Sequence, residues 1–354
     1  MKLKKYYSKF KNNLYFIADI AANHDGSLKR AKKLIRLAAE SGANAAKFQN
    51  FYANTIVSDF GFKSLKKKYS HQSKWKKSVY DVYKKAELPL KWTKELKAEC
   101  DKYKIDYFTA PYDQGIINYI NKFVKLWKIG SGDITWHEHI LKIARKKKPI
   151  LIATGASTMK EIEKLIQKVE LINKKIVLMQ CNTNYTASDK NYDYINLNVL
   201  KEFKKKFPRY ILGLSDHTKG HETVLGAIAH GATVFEKHFT DDCRRVGPDH
   251  LFSLNPKEWS TMVKSSEILK RSLGSKKKII EKNEKETVIL QRRSIRIVKN
   301  LSKGSILKKE YLTLLRPCPA DAIQPYDLNK VIGKKINKKL KFHDYLKWNH
   351  LQKK

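Results

Sequence analysis

The sequence lacks any run of about 18 apolar residues, the length that a membrane-spanning helix needs, so we expect no membrane partner. The first residues, MKLKKYYSKFKNN, are basic but lack the apolar segment and small-residue cleavage site of a secretory signal peptide. Cysteine is scarce, and the four cysteines at positions 100, 181, 243 and 318 form no CxxC pair. That spacing argues against a zinc knuckle or a disulfide framework and predicts a reduced, cytoplasmic compartment.

Acidic residues are few: 34 aspartates and glutamates stand against 74 lysines and arginines, a formal net charge of +40. Such an excess can indicate a nucleic-acid-binding protein. The lysines are instead spread over many predicted helix faces, such as 29–33 and 142–148, and no aromatic stacking platform alternates with arginines. We therefore predict a solvated basic surface, no nucleic-acid partner, and a positive field that attracts small anionic substrates.

No glycine-rich phosphate loop of the GxGxxG or GxxxxGKS type occurs either. What the chain does contain is a repeated pattern of eight short apolar runs, each followed by a helical pattern. The predicted strands are 14–20, 43–48, 106–109, 126–129, 150–153, 176–180, 211–214 and 233–235. The predicted helices are 28–41, 91–103, 114–121, 137–146, 159–173, 199–207, 221–230 and 257–273. Eight such units predict an α/β fold of the (β/α)8 TIM-barrel type, with an open doubly wound sheet as the alternative.

Polar residues interrupt the apolar runs where the strands end. In a barrel these ends meet at one mouth, where such enzymes place their chemistry. The converging set is Asp19, Lys47, Gln49, Thr109, Lys128, Ser131, Asp133, Thr154, Tyr185, Ser215, His217, Glu236 and His238. Two lysines and several hydroxyls suit a phosphate group, and the two histidines form a candidate divalent-metal site.

The sequence also predicts how the chain is divided. Residues 1–273 form the barrel domain, 274–287 a charged linker, and 288–354 a small β-rich domain with strands 294–298 and 312–315. An irregular stretch at 50–89, rich in tyrosine and tryptophan, is too long for an ordinary connection. Loops of this length usually lie at an active-site mouth or an interface.

With these segments placed, the chain from about Tyr15 to Tyr345 resembles the sialic acid synthase family, which includes the pseudaminic and legionaminic acid synthases. The ordered motifs are IADIAANHDGS, AAKFQ, FTAP, WKIGSGD, GLSDHT and EKHFT, followed by GPDHLFSL. The segments RRSIRIVKNLSKGSIL and LLRP resemble the C-terminal antifreeze-like (SAF) domain of the same enzymes. Seven ordered motifs at barrel spacing make the resemblance specific.

The resemblance implies a transferase that condenses phosphoenolpyruvate with an open-chain N-acetylated hexose, such as N-acetylmannosamine, to a nine-carbon 2-keto acid sugar and phosphate. The candidate residues are then assigned by the chemistry that this reaction needs and, for the sugar contacts, by their match to family positions. Phosphoenolpyruvate contacts fall to Lys47, Thr109, Lys128, Ser131 and Ser215. Proton transfer falls to Asp19 and Glu236, metal binding to His217 and His238, and sugar contacts to Gln49, Tyr185, Asp249 and Arg316.

Imidazole ligands favour Mn²⁺ and leave Mg²⁺ possible. Arg316 matches an arginine that reaches the sugar site of the other subunit, which implies a domain-swapped homodimer.

Some positions depart from the family pattern. Asp19 stands where the family usually carries a glutamate, and Thr183 stands where an asparagine contacts phosphoenolpyruvate. The segment LRPCPADAIQPYD also differs from the usual RPGxGI. Two alternatives therefore stay open: another phosphoenolpyruvate-condensing synthase with a different aldose acceptor, and a non-catalytic barrel that binds anionic glycans.

Overall fold

Parallel strands alternate with helices in the computed structural model of the chain, which describes residues 2–65, 72 and 75–352 and divides the chain into two units, Met1–Gly274 and Ser275–Lys354. In the described part of the first unit, eight strands form one sheet. They are β1 Tyr15–Asp19, β2 Ala45–Asn50, β3 Asp106–Pro111, β4 Trp127–Ile129, β5 Ile150–Ala153, β6 Ile176–Cys181, β7 Ile211–Asp216 and β8 Val234–His238.

The strand order β3-β2-β1-β8-β7-β6-β5-β4 brings the first strand beside the last. β1 pairs in parallel with β8 along its whole length, from Tyr15 opposite Val234 to Asp19 opposite His238. The strands at the two ends of this order, β3 and β4, also contact each other. The sheet therefore closes on itself, and the predicted (β/α)8 barrel is confirmed.

Helices cover the outside of the sheet, so the strands are buried on both faces and read as nearly continuous apolar runs. The helices of the first unit are α1 Lys2–Asn12, α2 Leu28–Glu40, α3 Ala53–Ile56, α4 Asp59–Ser64, α5 Val79–Ala86, α6 Thr93–Lys102, α7 Ile117–Ile120, α8 His137–Ala144, α9 Met159–Glu170, α10 Val199–Lys206, α11 Glu222–Ala229 and α12 Pro256–Ser272. None of the helices in the described residues is long and apolar enough to cross a membrane.

Helix α2 illustrates how the sequence sets these elements. The Ser27 side chain accepts a hydrogen bond from the backbone N–H of Arg30 and caps the first turn. Ala31, Leu34, Ile35 and Ala38 recur at helical spacing and are buried, so this stripe faces the sheet. The helix stops before Gly42, whose φ of +94° lies in the left-handed region that favours glycine.

Helix α1 was not predicted. Its Phe10 side chain is fully buried, and the Tyr6 and Tyr15 hydroxyls donate to Asp106 Oδ2 over 2.7 and 2.8 Å. Tyr15 and Asp106 are the first residues of β1 and β3, so α1 packs against the amino-terminal end of the barrel, opposite the mouth. The apolar stripe of α1 is difficult to recognise in the sequence because many lysines surround it.

The stretch 50–89, predicted to be irregular, contains three short α-helices, α3, α4 and α5, in the part of it that the structure describes. Two of them have serine caps: Ser58 accepts from the backbone N–H of Gly61, and Ser78 accepts from that of Asp81. Tyr69, one of the aromatic residues that marked this stretch, lies outside the described residues.

The second unit has its own small apolar core. Strands β9 Ser294–Ile297 and β10 Leu312–Leu315 pair antiparallel, close to the two predicted runs, and helices α13 Lys285–Gln291 and α14 Leu328–Val331 accompany them. The core is formed by Ile295, Ile297, Leu301, Leu307, Ile323, Val331, Ile336, Leu340, Leu346 and Leu351. Residues 275–287, predicted to be part of a linker, belong to this unit, and α13 begins within them.

Candidate active site

A cavity of about 380 Å³ opens at the carboxyl ends of the strands. This is the end of a (β/α)8 barrel at which enzymes of this fold carry their catalytic groups. Most of the predicted site residues line it: Asp19, Lys47, Gln49, Lys128, Ser131, Asp133, Tyr185, Ser215, His217, Glu236, His238 and Asp249. These residues come from six different strands or the segments after them and share one cavity.

Glu236 at the floor of this cavity collects three donors on one oxygen. Lys47 Nζ, Lys128 Nζ and Ser215 Oγ lie 3.0, 2.9 and 3.1 Å from Glu236 Oε1. The other carboxylate oxygen, Oε2, is buried and has no hydrogen-bond partner among the described residues. Lys47 also forms an ion pair of 2.7 Å with Asp19. The floor therefore holds two ammonium groups and two carboxyl groups in direct contact.

Burial and charge oppose each other at this floor. Burial disfavours the ionised form of Glu236, but Lys128 and Lys47 outweigh burial and hold the pKa of Glu236 well below its usual value. Burial raises the pKa of Asp19 in spite of Lys47, and burial lowers the pKa of Lys128 in spite of Glu236. Because Glu236 already occupies the lysines, an entering anion would compete with this carboxylate for the same donors.

His217 and His238 face each other across the mouth, with ring centroids 5.4 Å apart. His217 Nδ1 lies 3.0 Å from the carbonyl oxygen of Asn182, which can only accept, so Nδ1 carries the proton in this contact. When the ring is neutral, Nε2 therefore keeps its lone pair. Burial lowers the pKa of His238 to about 3, so His238 is neutral near pH 7.

These donors fit a divalent metal that accepts imidazole nitrogen. His238 Nδ1 is buried, has no hydrogen-bond partner in the described part of the chain and lies 3.9 Å from Asp249 Oδ2. His238 Nε2 lies 3.5 Å from Asp19 Oδ2. Within the described residues, no group of three or more His, Cys, Asp or Glu side chains is arranged to hold a metal ion. A metal here would take two protein nitrogens and leave its other positions to substrate or water.

A buried ion pair lies behind these side chains. Lys237 Nζ is 2.5 Å from Asp216 Oδ2, and Thr223 Oγ1 donates to the same oxygen over 2.6 Å. Asp216 and Lys237 are register partners on β7 and β8. Their chain neighbours are the cavity residues Ser215, His217, Glu236 and His238. The pair therefore links the carboxyl ends of β7 and β8, which carry these four cavity residues.

The backbone of Gly155 lies close to the side chains of Ser131 and Thr183, two residues that line the cavity. The Gly155 N–H donates to Ser131 Oγ over 3.0 Å. A Cβ at Gly155 would come within 1.9 Å of Thr183 Oγ1 and 2.9 Å of Ser131 Oγ. Only glycine leaves room for the two hydroxyls at this point.

Thr109 is placed differently from its prediction and does not line the cavity. Its hydroxyl donates to the carbonyl oxygen of Phe48 over 2.9 Å, and it shares a face of β3 with Tyr107, whose ring lies 5.8 Å from that of Phe48. Side chains alternate along a strand, so Thr109 and Phe48 point towards the helices outside the barrel, whereas Lys47, the neighbour of Phe48, points into the cavity. Thr154 likewise donates to a backbone carbonyl, that of Met179.

Arg316 follows β10 in the second unit and precedes a cis peptide bond to Pro317. The assignment of Arg316 to a sugar site stays a prediction.

Several cavity residues were not predicted. Tyr112 was missed because β3 was predicted to end at Thr109, whereas β3 continues to Pro111 and places the next residue at the mouth. The segment after β2 contributes an apolar group, Phe51, Ile56, Trp75, Val82, Tyr83 and Ala86. Its aromatic richness was the available signal, although no periodic pattern indicated which side chains face inward.

Known proteins resemble this chain in sequence along most of its length. The NeuB family model matches residues 34–278, and the SAF domain model matches residues 292–352. The N,N'-diacetyllegionaminic acid synthase of Legionella pneumophila is 34% identical over 344 residues, covering 96% of this chain and 94% of that protein. The human N-acetylneuraminate-9-phosphate synthase is 30% identical over 323 residues, covering 91% and 88%.

Solved structures show the same fold. The N-acetylneuraminic acid synthetase of Leptospira borgpetersenii superposes with a TM-score of 0.69 at 27% identity, covering 78% of this chain and 91% of that one. A truncated 3-deoxy-D-arabino-heptulosonate 7-phosphate synthase of Thermotoga maritima matches with a TM-score of 0.55 at 14% identity, covering 75% and 89%, a likeness of fold alone.

Proposed function

The chain belongs to the NeuB family of sialic acid synthases, and from that premise we propose that it condenses phosphoenolpyruvate with an open-chain N-acetylated hexose. The products are a nine-carbon 2-keto acid sugar and inorganic phosphate. The observation that carries this proposal is the floor of the cavity, where Lys47, Lys128 and Ser215 converge on Glu236 beside two facing histidines.

The anionic substrate binds where these donors meet. Phosphoenolpyruvate carries a carboxylate and a phosphate, and charge-assisted bonds from two ammonium groups are the strongest contacts that a protein offers such groups. Ser131 and Ser215 add hydroxyl donors at the same floor. Because Lys47 and Lys128 now contact Glu236, binding exchanges one carboxylate partner for another and leaves no buried ammonium unpaired.

The reaction balances with the groups present. C3 of phosphoenolpyruvate bonds to C1 of the aldehyde, whose oxygen gains a proton and becomes a hydroxyl. Water adds to C2 and supplies the new keto oxygen, and the bond between C2 and the phosphate oxygen breaks to release phosphate. Asp19 and Glu236 are the candidates for delivering and removing these protons, and burial raises the pKa of Asp19, which favours its protonated form.

His217 and His238 would hold a divalent metal, Mn²⁺ in preference to Mg²⁺, since imidazole nitrogen suits manganese better. Such an ion would polarise the aldehyde oxygen as a Lewis acid. Gln49, Tyr185 and Asp249 line the space beside these histidines and would contact the sugar. In this proposal the enzyme is a cytoplasmic homodimer, and Arg316 of one subunit reaches the sugar site of the other.

Phosphate release measured with phosphoenolpyruvate, Mn²⁺ and a panel of N-acetylated hexoses tests the proposal. We expect release with at least one acceptor and a product whose mass equals that of the acceptor plus a pyruvate unit. Lys128→Met should abolish release, whereas Lys206→Met, which removes an exposed lysine paired with Glu163, should retain it. Absence of release with every acceptor, or full activity of Lys128→Met, would overturn the proposal.

Co-expression of Arg316→Ala with His217→Ala tests the dimer. If the arginine acts on the other subunit, mixed dimers contain one intact site and recover activity that neither variant has alone.

A further inference from the structure

Two loops at the mouth of the barrel are joined by a network of polar side chains that lies beside the cavity. They are the segments after β1 and β8, residues 20–27 and 239–255. The second loop carries Asp249, which lines the cavity and lies 3.9 Å from His238 Nδ1. Asp249 Oδ2 accepts a hydrogen bond from the Ala22 N–H of the first loop over 3.0 Å. The position of the Asp249 carboxylate therefore depends on how the two loops meet.

His250, the residue after Asp249, is the centre of this network. Its side chain is fully buried, and its Nε2 lies 3.0 Å from Asp25 Oδ1 in the first loop. A carboxylate can only accept, so Nε2 carries the proton, and in the neutral ring Nδ1 accepts from the Thr240 hydroxyl over 2.7 Å. A Cβ at Gly247 would come within 2.6 Å of His250 Cδ2. Both ring nitrogens and one ring edge are thus fixed, and the backbone beside the ring is fixed with them.

Asp25 is held firmly enough to serve as the anchor for this ring. Burial disfavours its ionised form, but hydrogen bonds from His250 and Arg245 outweigh burial and keep the pKa of Asp25 below its usual value. Arg30 Nε lies 3.1 Å from Asp25 Oδ2 and donates to the carbonyl oxygen of Asn23 over 2.7 Å. Arg30 belongs to α2, so a helix of the barrel sets the position of the carboxylate.

Further contacts link the same two loops. Arg30 Nη1 and Nη2 donate to the Asp241 carboxylate over 3.0 and 2.5 Å, a two-point contact of fixed geometry. The Asn23 side-chain amide donates to Ser253 Oγ over 2.9 Å, and Ser253 Oγ donates to the carbonyl oxygen of Asp249 over 2.7 Å. Asp249 is therefore supported through its backbone and its side chain by residues of the first loop.

We propose that His250 is a positioning residue, which fixes the Asp249 carboxylate for the acceptor sugar. The His250 ring does not line the cavity and acts through its neighbour in the chain. In the proposed function, on which this inference rests, Asp249 contacts the sugar, whereas Lys47 and Lys128 bind phosphoenolpyruvate. A small displacement of a substrate-positioning group costs about 10- to 100-fold in rate. Loss of the network therefore weakens use of the acceptor and spares use of phosphoenolpyruvate.

His250→Phe tests this role, because phenylalanine keeps a ring and removes both nitrogen contacts. Phosphate release is measured with Mn²⁺, phosphoenolpyruvate and the acceptor, among a panel that includes N-acetylmannosamine, that the unaltered protein turns over fastest. We expect the KM for the acceptor to rise about 10-fold and the KM for phosphoenolpyruvate to stay unchanged. His250→Gln, whose amide can still donate to Asp25, should recover part of the acceptor affinity. Gly247→Ala displaces the ring by packing alone and should raise the same KM.

Phe10→Ala is the control for lost stability, since Phe10 is fully buried at the opposite end of the barrel, and it should leave both KM values unchanged. An acceptor KM that stays unchanged in His250→Phe, or that rises together with the KM for phosphoenolpyruvate, would overturn the inference. If His250→Phe does not fold, the same two KM values in His250→Gln and Gly247→Ala decide. No release by the unaltered protein with any acceptor would instead overturn the proposed function.

Discussion

Replacing Glu236 by glutamine removes the negative charge on which the floor of the cavity depends. At an effective dielectric constant of about 20, an ammonium 2.9 Å from a carboxylate gains about 6 kcal/mol of Coulomb energy before desolvation is counted. Removing one member of a buried pair costs about 3–5 kcal/mol, because the other charge stays buried and unpaired. Lys47 keeps Asp19 as a partner, so we expect Glu236→Gln to lower the free energy of unfolding by about 3 kcal/mol.

Urea denaturation followed by circular dichroism measures this change, and a double-mutant cycle with Lys128→Met assigns it. In the double variant neither charge remains, so part of the lost stability should return. Glu163→Gln is the matched control, since Glu163 pairs with Lys206 at an exposed position and its loss should matter little. Phosphoenolpyruvate should raise the melting temperature of Glu236→Gln more than that of the unaltered protein, because the ligand supplies the missing negative charge.

The reasoning would be refuted by two results. One is a loss of stability in Glu236→Gln no larger than in Glu163→Gln. The other is a fully additive double variant, which would mean that Lys128 and Glu236 do not depend on each other in the folded protein.

Three further predictions concern other parts of the barrel. Phe10→Ala should lower the free energy of unfolding by about 3–5 kcal/mol with kcat unchanged, because Phe10 is fully buried at the end opposite the cavity; denaturation and phosphate release check both parts. Burial raises the pKa of Asp133 from 3.8 to about 6. Below pH 3.8 the carboxyl group is protonated in both the folded and the unfolded state, and its burial has no charge cost. As the pH rises through 6 the buried group must ionise, and that part of the folding stability is lost. Asp133→Asn should therefore stabilise the protein by about 1–2 kcal/mol at pH 8 and hardly at all at pH 3.5, and a pH-independent effect would contradict this cause. Gly155→Ala should impair phosphate release, because the added Cβ would displace Thr183, and a phosphate-release assay checks this.

The strands were predictable because each carries its own local signal. A strand buried on both faces is an apolar run of four to six residues, and the helix that follows has a 3.6-residue period. The errors lie at strand ends: β3 is predicted to end at Thr109 but continues to Pro111, since proline is tolerated at the end of a strand, and the shorter prediction omits Tyr112. For Thr109, identity alone did not show which face of β3 the side chain occupies.

The floor of the cavity was predictable for a different reason. Polar residues at strand ends are exceptions to the apolar pattern, and barrel geometry brings all such exceptions to one place. The apolar residues that the segment after β2 contributes to the cavity had no such signal of position, since Ile56 and Val82 look like ordinary core residues of short helices. Helix α1 was missed for a similar reason, because the buried Phe10 stands among lysines in the sequence.

The pairing of β1 with β8 has a consequence for synthesis of the protein. Glu236 stands 189 positions after Lys47 and 108 after Lys128, so the charge that balances both lysines is translated long after them. Before β8 has emerged from the ribosome, Lys47 and Lys128 have no Glu236 to pair with. At that stage His217 is also present without His238. Premature termination before β8 therefore yields an inert fragment, and contacts so distant along the chain favour slow maturation after release.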